Sequence, residues 1–164
     1  MLRDKSLIPL SHQHQHALAL CVRIERASPI PSSDLPSWQH EIRELFQSEI
    51  AAHFAAEERV LFPVAIEFNE LCPLLEELRR DHEWLREQFS RSASKAVSAD
   101  DLSALAQRLS AHIRKEERQL FEGLQEKLSR EELFITGHKL EAALKDTSQV
   151  CLRPNEVTKL RTKK

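Results

Sequence analysis

Apolar residues recur three and four positions apart through most of this chain, the spacing of one face of an α-helix. The first such run follows Ser11, a side chain suited to cap it, and reaches about Ala27, where Ser28-Pro29-Ile30-Pro31 stops it. Residues 28–37 then form a linker, and a second helix is predicted from about Trp38 to Ile66. Pro63 falls inside its end and is expected to kink or loosen the last turn. A third helix runs from Cys72 or Pro73 to Ser92, with Pro73 in the first turn, where a missing N–H costs nothing. Ser98-Ala99-Asp100-Asp101 opens a fourth helix over about 100–128, and Ser129-Arg130-Glu131-Glu132 opens a shorter fifth one, with a break expected at Gly137. No stretch alternates with period two. The pattern therefore predicts an all-α protein: an antiparallel up-down four-helix bundle with a short fifth C-terminal helix packed outside or across an end. Residues 1–145 make one domain. From 146 to 164 the apolar periodicity fades and Arg153, Lys159, Arg161, Lys163 and Lys164 make a basic tail, expected to be mobile.

Polar residues interrupt the apolar faces at particular places. His53 and Glu57 lie four apart, one above the other on a helix, on the face that carries Ile42, Phe46, Ile50 and Leu61. The block around them returns. Residues 111–122 match residues 52–63 at seven of twelve places, offset by 59, and place His112 and Glu116 in phase with Leu102, Leu105, Leu109 and Leu120. An imidazole and a carboxylate aimed into a core are costly unless something there pairs with them. Two such pairs point to a metal site with two-fold character.

The remaining histidines separate by helical phase. His14 shares a face with Leu10, Ala17, Leu18 and Cys21, and His82 with Leu71, Leu75, Leu78, Leu85 and Phe89, so both point inward. His12 and His16 fall on another face of the first helix, in line with Arg23, and read as solvated, while His40 and His138 read as surface or capping residues. Each long helix thus contributes one inward histidine, His14, His53, His82 and His112, and the second and fourth add Glu57 and Glu116. For any one of these, a hydrogen-bonded core histidine is the better reading. Six on the interior faces of one bundle favour a metal site, because leaving them unpaired costs several kcal/mol. Nitrogen and oxygen donors without thiolate suit Fe, Mn, Zn or Cu. Two carboxylates able to bridge, with two histidines for each of two ions, describe a dinuclear centre. Glu58 and Glu117, one residue on and about 100° round the helix, either support the ligands or pair with Arg59 and Arg118.

Composition narrows the class further. With 164 residues and a formal net charge of −2, neither nucleic acid nor an anionic membrane is expected as a partner. No apolar run approaches the ~20 residues that cross a bilayer, and no secretion signal is read at Met1–Lys5. Cys21, Cys72 and Cys151 make an odd count without a C-x-x-C, so reduced thiols and a cytoplasmic location are expected. None of the residues three before a histidine is Glu, which removes a Glu-x-x-His di-iron bundle, and no His-Glu-x-x-His zinc-protease motif is present.

The combination of Leu10-Ser11-His12-Gln13-His14, His53-Phe54-Ala55-Ala56-Glu57-Glu58 with Leu61-Phe62-Pro63, Asp81-His82-Glu83, and His112-x-x-x-Glu116 resembles the hemerythrin-like (HHE cation-binding) domain over about residues 8–125. The resemblance implies a four-helix bundle holding two non-haem Fe ions, with Zn or Mn as substitutes. It carries His14, His53, His82 and His112 over as terminal metal ligands and Glu57 and Glu116 as bridging ones. Oxygen-carrying members have a second histidine four residues after the third-helix ligand, where this chain has Arg86, and a His-x-x-x-x-Asp on the last helix, where it has His112-x-x-x-Glu116. A guanidinium cannot coordinate, and Arg86 is expected to extend away from the metals or to pair with a nearby carboxylate such as Glu83 or Glu87. The expected function is therefore binding or sensing of O₂, NO or peroxide at an open iron position rather than oxygen carriage. The alternatives are a di-iron redox enzyme reducing peroxide or NO, and a metal-storage or structural protein. The expected partner is a small diatomic or peroxide molecule, and a homodimer or partner protein is left open.

Overall fold

The computed structural model describes residues 2–94, 97–145 and 154–159. Five helices account for the described fold: α1 (Ile8–Ala27), α2 (residues 35–65), α3 (Cys72–Ser94), α4 (residues 99–127) and α5 (Arg130–Leu144). A 3-10 turn over Asn69–Leu71 leads into α3. No strand occurs among the described residues, as the absence of period-two patterning predicts.

Several ends differ from expectation for local reasons. Helix α1 starts at Ile8 with Pro9 in its first turn, three residues before Ser11. Ser11 is not a cap; its hydroxyl donates to Glu117 Oε1 at 2.7 Å. Helix α2 starts at Leu35, again with a proline in its first turn, and continues through Pro63 to Ala65. The turn before Pro63, Glu57–Leu61, is π-helical, and the Phe62 N–H reaches back to the Glu57 carbonyl. Helix α4 carries the same feature at Glu116–Leu120, and α2 a further π turn at Phe46–Ile50. Ser98 and Ser129 close the capping boxes expected of them, with Asp101 and Glu132. Gly137 does not break α5. It lies within Arg130–Leu144, and its missing side chain lets the helix approach the N-terminal segment, since a Cβ there would stand 2.7 Å from Ser6 Cβ.

Two apolar clusters fill the bundle. One includes Leu20, Ile24, Ile42, Leu45, Leu85, Phe89, Leu102 and Leu105; the other includes Leu7, Leu10, Leu61, Phe62, Leu75, Leu78, Leu120 and Leu124. Helices α1 and α3 pass from the second cluster to the first, and α2 and α4 pass the other way, so the direction alternates along the chain. Cross-helix pairs agree. Gln13, His16 and Arg23 of α1 meet His53, Glu49 and Glu41 of α2, numbers rising on one helix as they fall on the other. Helix α5 packs against residues 51–61, in the second half of α2, and adds Leu140 and Leu144 to the second cluster.

Of the basic tail expected over 146–164, only 154–159 falls among the described residues. That short segment forms a turn capped by Asn155, with Thr158 fully buried and its carbonyl accepting from Arg23 Nη1 at 2.9 Å.

Candidate metal centre

Between the two apolar clusters lies a layer of ionisable side chains. His14, His53, His82 and His112 come from α1, α2, α3 and α4 in turn, each at most 4 % exposed, and Glu57 and Glu116 are fully buried. The sequence-derived six are thus brought together. The exposed histidines are His12 and His16, which helical phase places in solvent, and His40 and His138, which read as surface or capping residues. His16 nevertheless has a partner, since its Nδ1 lies 3.0 Å from the buried Glu49 carboxylate.

The donor atoms fall into two overlapping groups, His14, His53, Glu57 and Glu116, and Glu57, His82, His112 and Glu116, with the atoms of each within 4.8 Å of one another. Both glutamates belong to both groups. His14 Nε2 is 2.9 Å from His53 Nε2 and 3.2 Å from Glu116 Oε2. His53 Nε2 is 3.2 Å from Glu57 Oε1. On the other side His82 Nε2 is 3.4 Å from Glu57 Oε2, and His112 Nε2 is 3.1 Å from Glu116 Oε1. Both oxygens of Glu57 and Glu116, and Nε2 of His82 and His112, are buried without a hydrogen-bond partner. Buried polar atoms are almost always paired. Six such atoms converging on two points, all nitrogen or carboxylate oxygen, fit divalent or trivalent cations of the iron, manganese or zinc type.

The π turns help to set this layer. In both copies of the repeat the turn begins at the inward glutamate, Glu57 or Glu116. Such one-turn widenings frequently mark functional positions. Aromatic rings close the layer. Phe54 stacks on His82 with centroids 3.9 Å apart, Phe62 stacks on the same imidazole at 5.5 Å, and Phe121 stacks on His14 at 5.5 Å.

Outside the layer, His14, His53 and His82 each hydrogen-bond a polar partner through the second nitrogen, while His112 Nδ1 has no hydrogen-bond partner among the described residues. Glu117 Oε1 lies 2.7 Å from His14 Nδ1, and Glu58 Oε1 lies 2.8 Å from His82 Nδ1. The partners of these outer carboxylates are not Arg59 and Arg118, which are exposed. Arg3 reaches Glu117 Oε2 at 2.7 Å from the N-terminal segment. Arg86 holds Glu58 with two bonds, at 2.7 and 3.0 Å, so its partner is Glu58 rather than Glu83 or Glu87, and it supplies no donor to the layer. His53 Nδ1 meets the Gln13 amide oxygen at 2.9 Å. His112 Nδ1 faces Asp81 Oδ2 at 3.6 Å, while Arg108 and Lys115 bind that carboxylate at 2.8 and 3.1 Å. The sequence pattern gives Gln13, Asp81 and Arg3 no role at the site, and reads Ser11 only as a cap. Each acts across helices, and only the doubling of Glu57-Glu58 and Glu116-Glu117 hinted at this outer ring.

Charge follows this geometry. Burial alone would push His14 down, but the carboxylates of Glu116 and Glu117 beside it raise it to about 9. His82, likewise opposed by burial, is raised to about 11 by Glu116, Glu57 and Glu58. The hydrogen bond from His82, reinforced by Arg86 against partial burial, lowers Glu58 to about 2. Burial of Glu117 is outweighed by His14, Ser11 and Arg3, and it also falls to about 2. In the protein alone, protons on His14 and His82 balance the carboxylates; a cation would replace them.

The profile of the hemerythrin HHE cation binding domain matches residues 9–124, most of the chain and every residue of the layer. The chain belongs to the hemerythrin HHE cation-binding domain family. Searches of curated proteins and of solved structures returned no match. Among the described residues no helix is long and apolar enough to cross a membrane.

Proposed function

We propose that the protein is a non-haem di-iron module that binds or senses O₂, NO or peroxide, with His14 and His53 holding one ion, His82 and His112 the other, and Glu57 and Glu116 bridging both. The observation that carries this is the sharing of two fully buried, otherwise unpartnered carboxylates by two pairs of histidine nitrogens. Each group offers two nitrogens and two carboxylate arms, a donor set with positions to spare of the kind used by non-haem Fe(II). Arg86 adds nothing to that count, being held by Glu58.

Iron in such a site supplies one-electron chemistry toward small oxidants. The chain's own residues bind, orient and exclude water. Glu58 and Glu117 fix His82 and His14 in the tautomer that turns Nε2 inward. Phe54, Phe62 and Phe121 keep bulk water from the layer. A cavity of about 10 Å³, bounded by His14, His53, His112 and Glu116 together with Ala17 and Ile50, adjoins the nitrogens, room for about one water-sized molecule. A diatomic or peroxide is in scale with it; a larger organic substrate is not. Binding or sensing is favoured over turnover, because no flavin or iron–sulfur motif in the sequence supplies electrons.

Metal analysis of protein from iron-replete cells, followed by optical spectra of the anaerobic iron-loaded form before and after O₂, tests the reading. About two Fe per chain and an oxidation by O₂ that vacuum does not reverse are expected. A single tightly held zinc with no iron removes the di-iron reading, and an O₂ complex that persists for hours and releases the gas under vacuum makes the protein a carrier.

A further inference from the structure

The two halves of the layer are alike in their inward donors and unlike in what stands behind them. Behind His82 is the Glu58 carboxylate, hydrogen-bonded at 2.8 Å and held by Arg86, and facing His112 at 3.6 Å, beyond hydrogen-bond reach, is the Asp81 carboxylate, held by Arg108 and Lys115, so both outer groups of this pair are carboxylates. Behind His14 is the Glu117 carboxylate at 2.7 Å, but behind His53 is the amide oxygen of Gln13 at 2.9 Å. Gln13 is therefore the one neutral outer partner among the four. An outer carboxylate passes negative charge through the imidazole and strengthens its inward nitrogen as a donor; a neutral amide fixes the ring with less of that gain. Gln13 also lines the cavity beside the layer, together with His14 and His53.

We infer that the two cation positions are inequivalent, that the His82/His112 position fills first and holds its ion more tightly, and that Gln13 is the positioning residue that keeps the His14/His53 position weak. The inference rests on the two-cation reading above and adds which position is labile and why. Weaker holding at the His14/His53 position leaves the ion there freer to exchange its remaining ligands.

Calorimetric titration of the chelated protein with Co(II) alone, with visible absorption followed in parallel, tests it. Two resolved steps of one ion each are expected. Gln13→Glu should tighten the weaker step by roughly 10- to 100-fold, the range for outer partners of metal-bound histidine, and leave the tighter step in place. Glu58→Gln should do the reverse, weakening the tighter step. Two steps of equal affinity in the unaltered protein, or a Gln13→Glu effect confined to the tighter step, overturns the inference while leaving two-cation binding intact. A protein that takes up no second ion at all removes the two-cation reading itself.

Discussion

His14 and His53 bring their Nε2 atoms within 2.9 Å of each other at a place where both rings are nearly inaccessible to water. Two lone pairs cannot face each other at that distance without a proton or a cation between or beside them. The neighbouring carboxylates, Glu116 at 3.2 Å from His14 and Glu57 at 3.2 Å from His53, hold either one. The pair thus makes protons and metal ions competitors for one site.

That competition has a sign. In chelated protein His14 and His82 are raised to about 9 and about 11 from 6.5. Their stabilising contribution is then complete below about 6.5 and is lost as the pH rises through those values. Glu58 and Glu117, lowered to about 2 from 4.5, contribute fully above about 4.5 and lose that contribution as the pH falls toward 2. Chelated protein should therefore melt highest between about pH 4.5 and 6.5 and lower at pH 9. Melting curves across that range check this, and a flat profile from 6.5 to 9 contradicts it.

Metal uptake should run the other way. Binding at pH 7 displaces imidazole protons, so affinity should rise as the pH is raised toward 9 and protons should be released. Calorimetry in two buffers of different ionisation enthalpy measures the number released; a value of zero means the ion sits elsewhere. With free metal ~100-fold above Kd the loaded form should gain about 2.7 kcal/mol, a melting shift of roughly 5 to 11 °C for a chain of this size.

Glu57→Ala or Glu116→Ala removes a donor from both groups at once, and either should abolish two-ion occupancy by metal analysis. His12→Ala and His16→Ala change exposed side chains and should leave metal content as it was. Loss of metal in either would mean that the first helix is turned differently from its present phase.

Arg86→Ala leaves Glu58 without its guanidinium while keeping the bond to His82. Glu58→Ala removes the bond itself and should weaken metal binding by about 10- to 100-fold. The order of effect, with Glu58→Ala worse than Arg86→Ala, is the expected result in a competition assay with a chromophoric chelator.

Gly137→Ala places a methyl 2.7 Å from Ser6 Cβ and 3.0 Å from its Cα, the latter a backbone atom that cannot swing aside. The cost should be about 1–3 kcal/mol, the range for overpacking. The metal layer is built from other helices, so metal content should hold. Denaturant unfolding beside metal analysis separates the two effects.

The sequence alone determined the helices, their inward faces and the six residues on them, because helical phase is a local property set by 3.6 residues per turn. His12 and His14 differ only in phase, and phase placed one in water and the other in the layer. It also gave the family, through four short motifs in order. What it could not give were relations across helices. Ser11 looked like a cap because it preceded an apolar run, yet its hydroxyl is taken by Glu117, 106 residues on. Glu58 and Glu117 read equally as supports of the ligands or as partners of the adjacent Arg59 and Arg118; packing chose the first, setting each behind a histidine, and gave them Arg86 and Arg3 instead of the adjacent arginines. Gly137 read as a break because glycine is a poor helix former, but close approach to Ser6 outweighs propensity there. The tertiary structure decided these points because a side chain's partner depends on which helices meet and in what register, and no spacing within one helix carries that information.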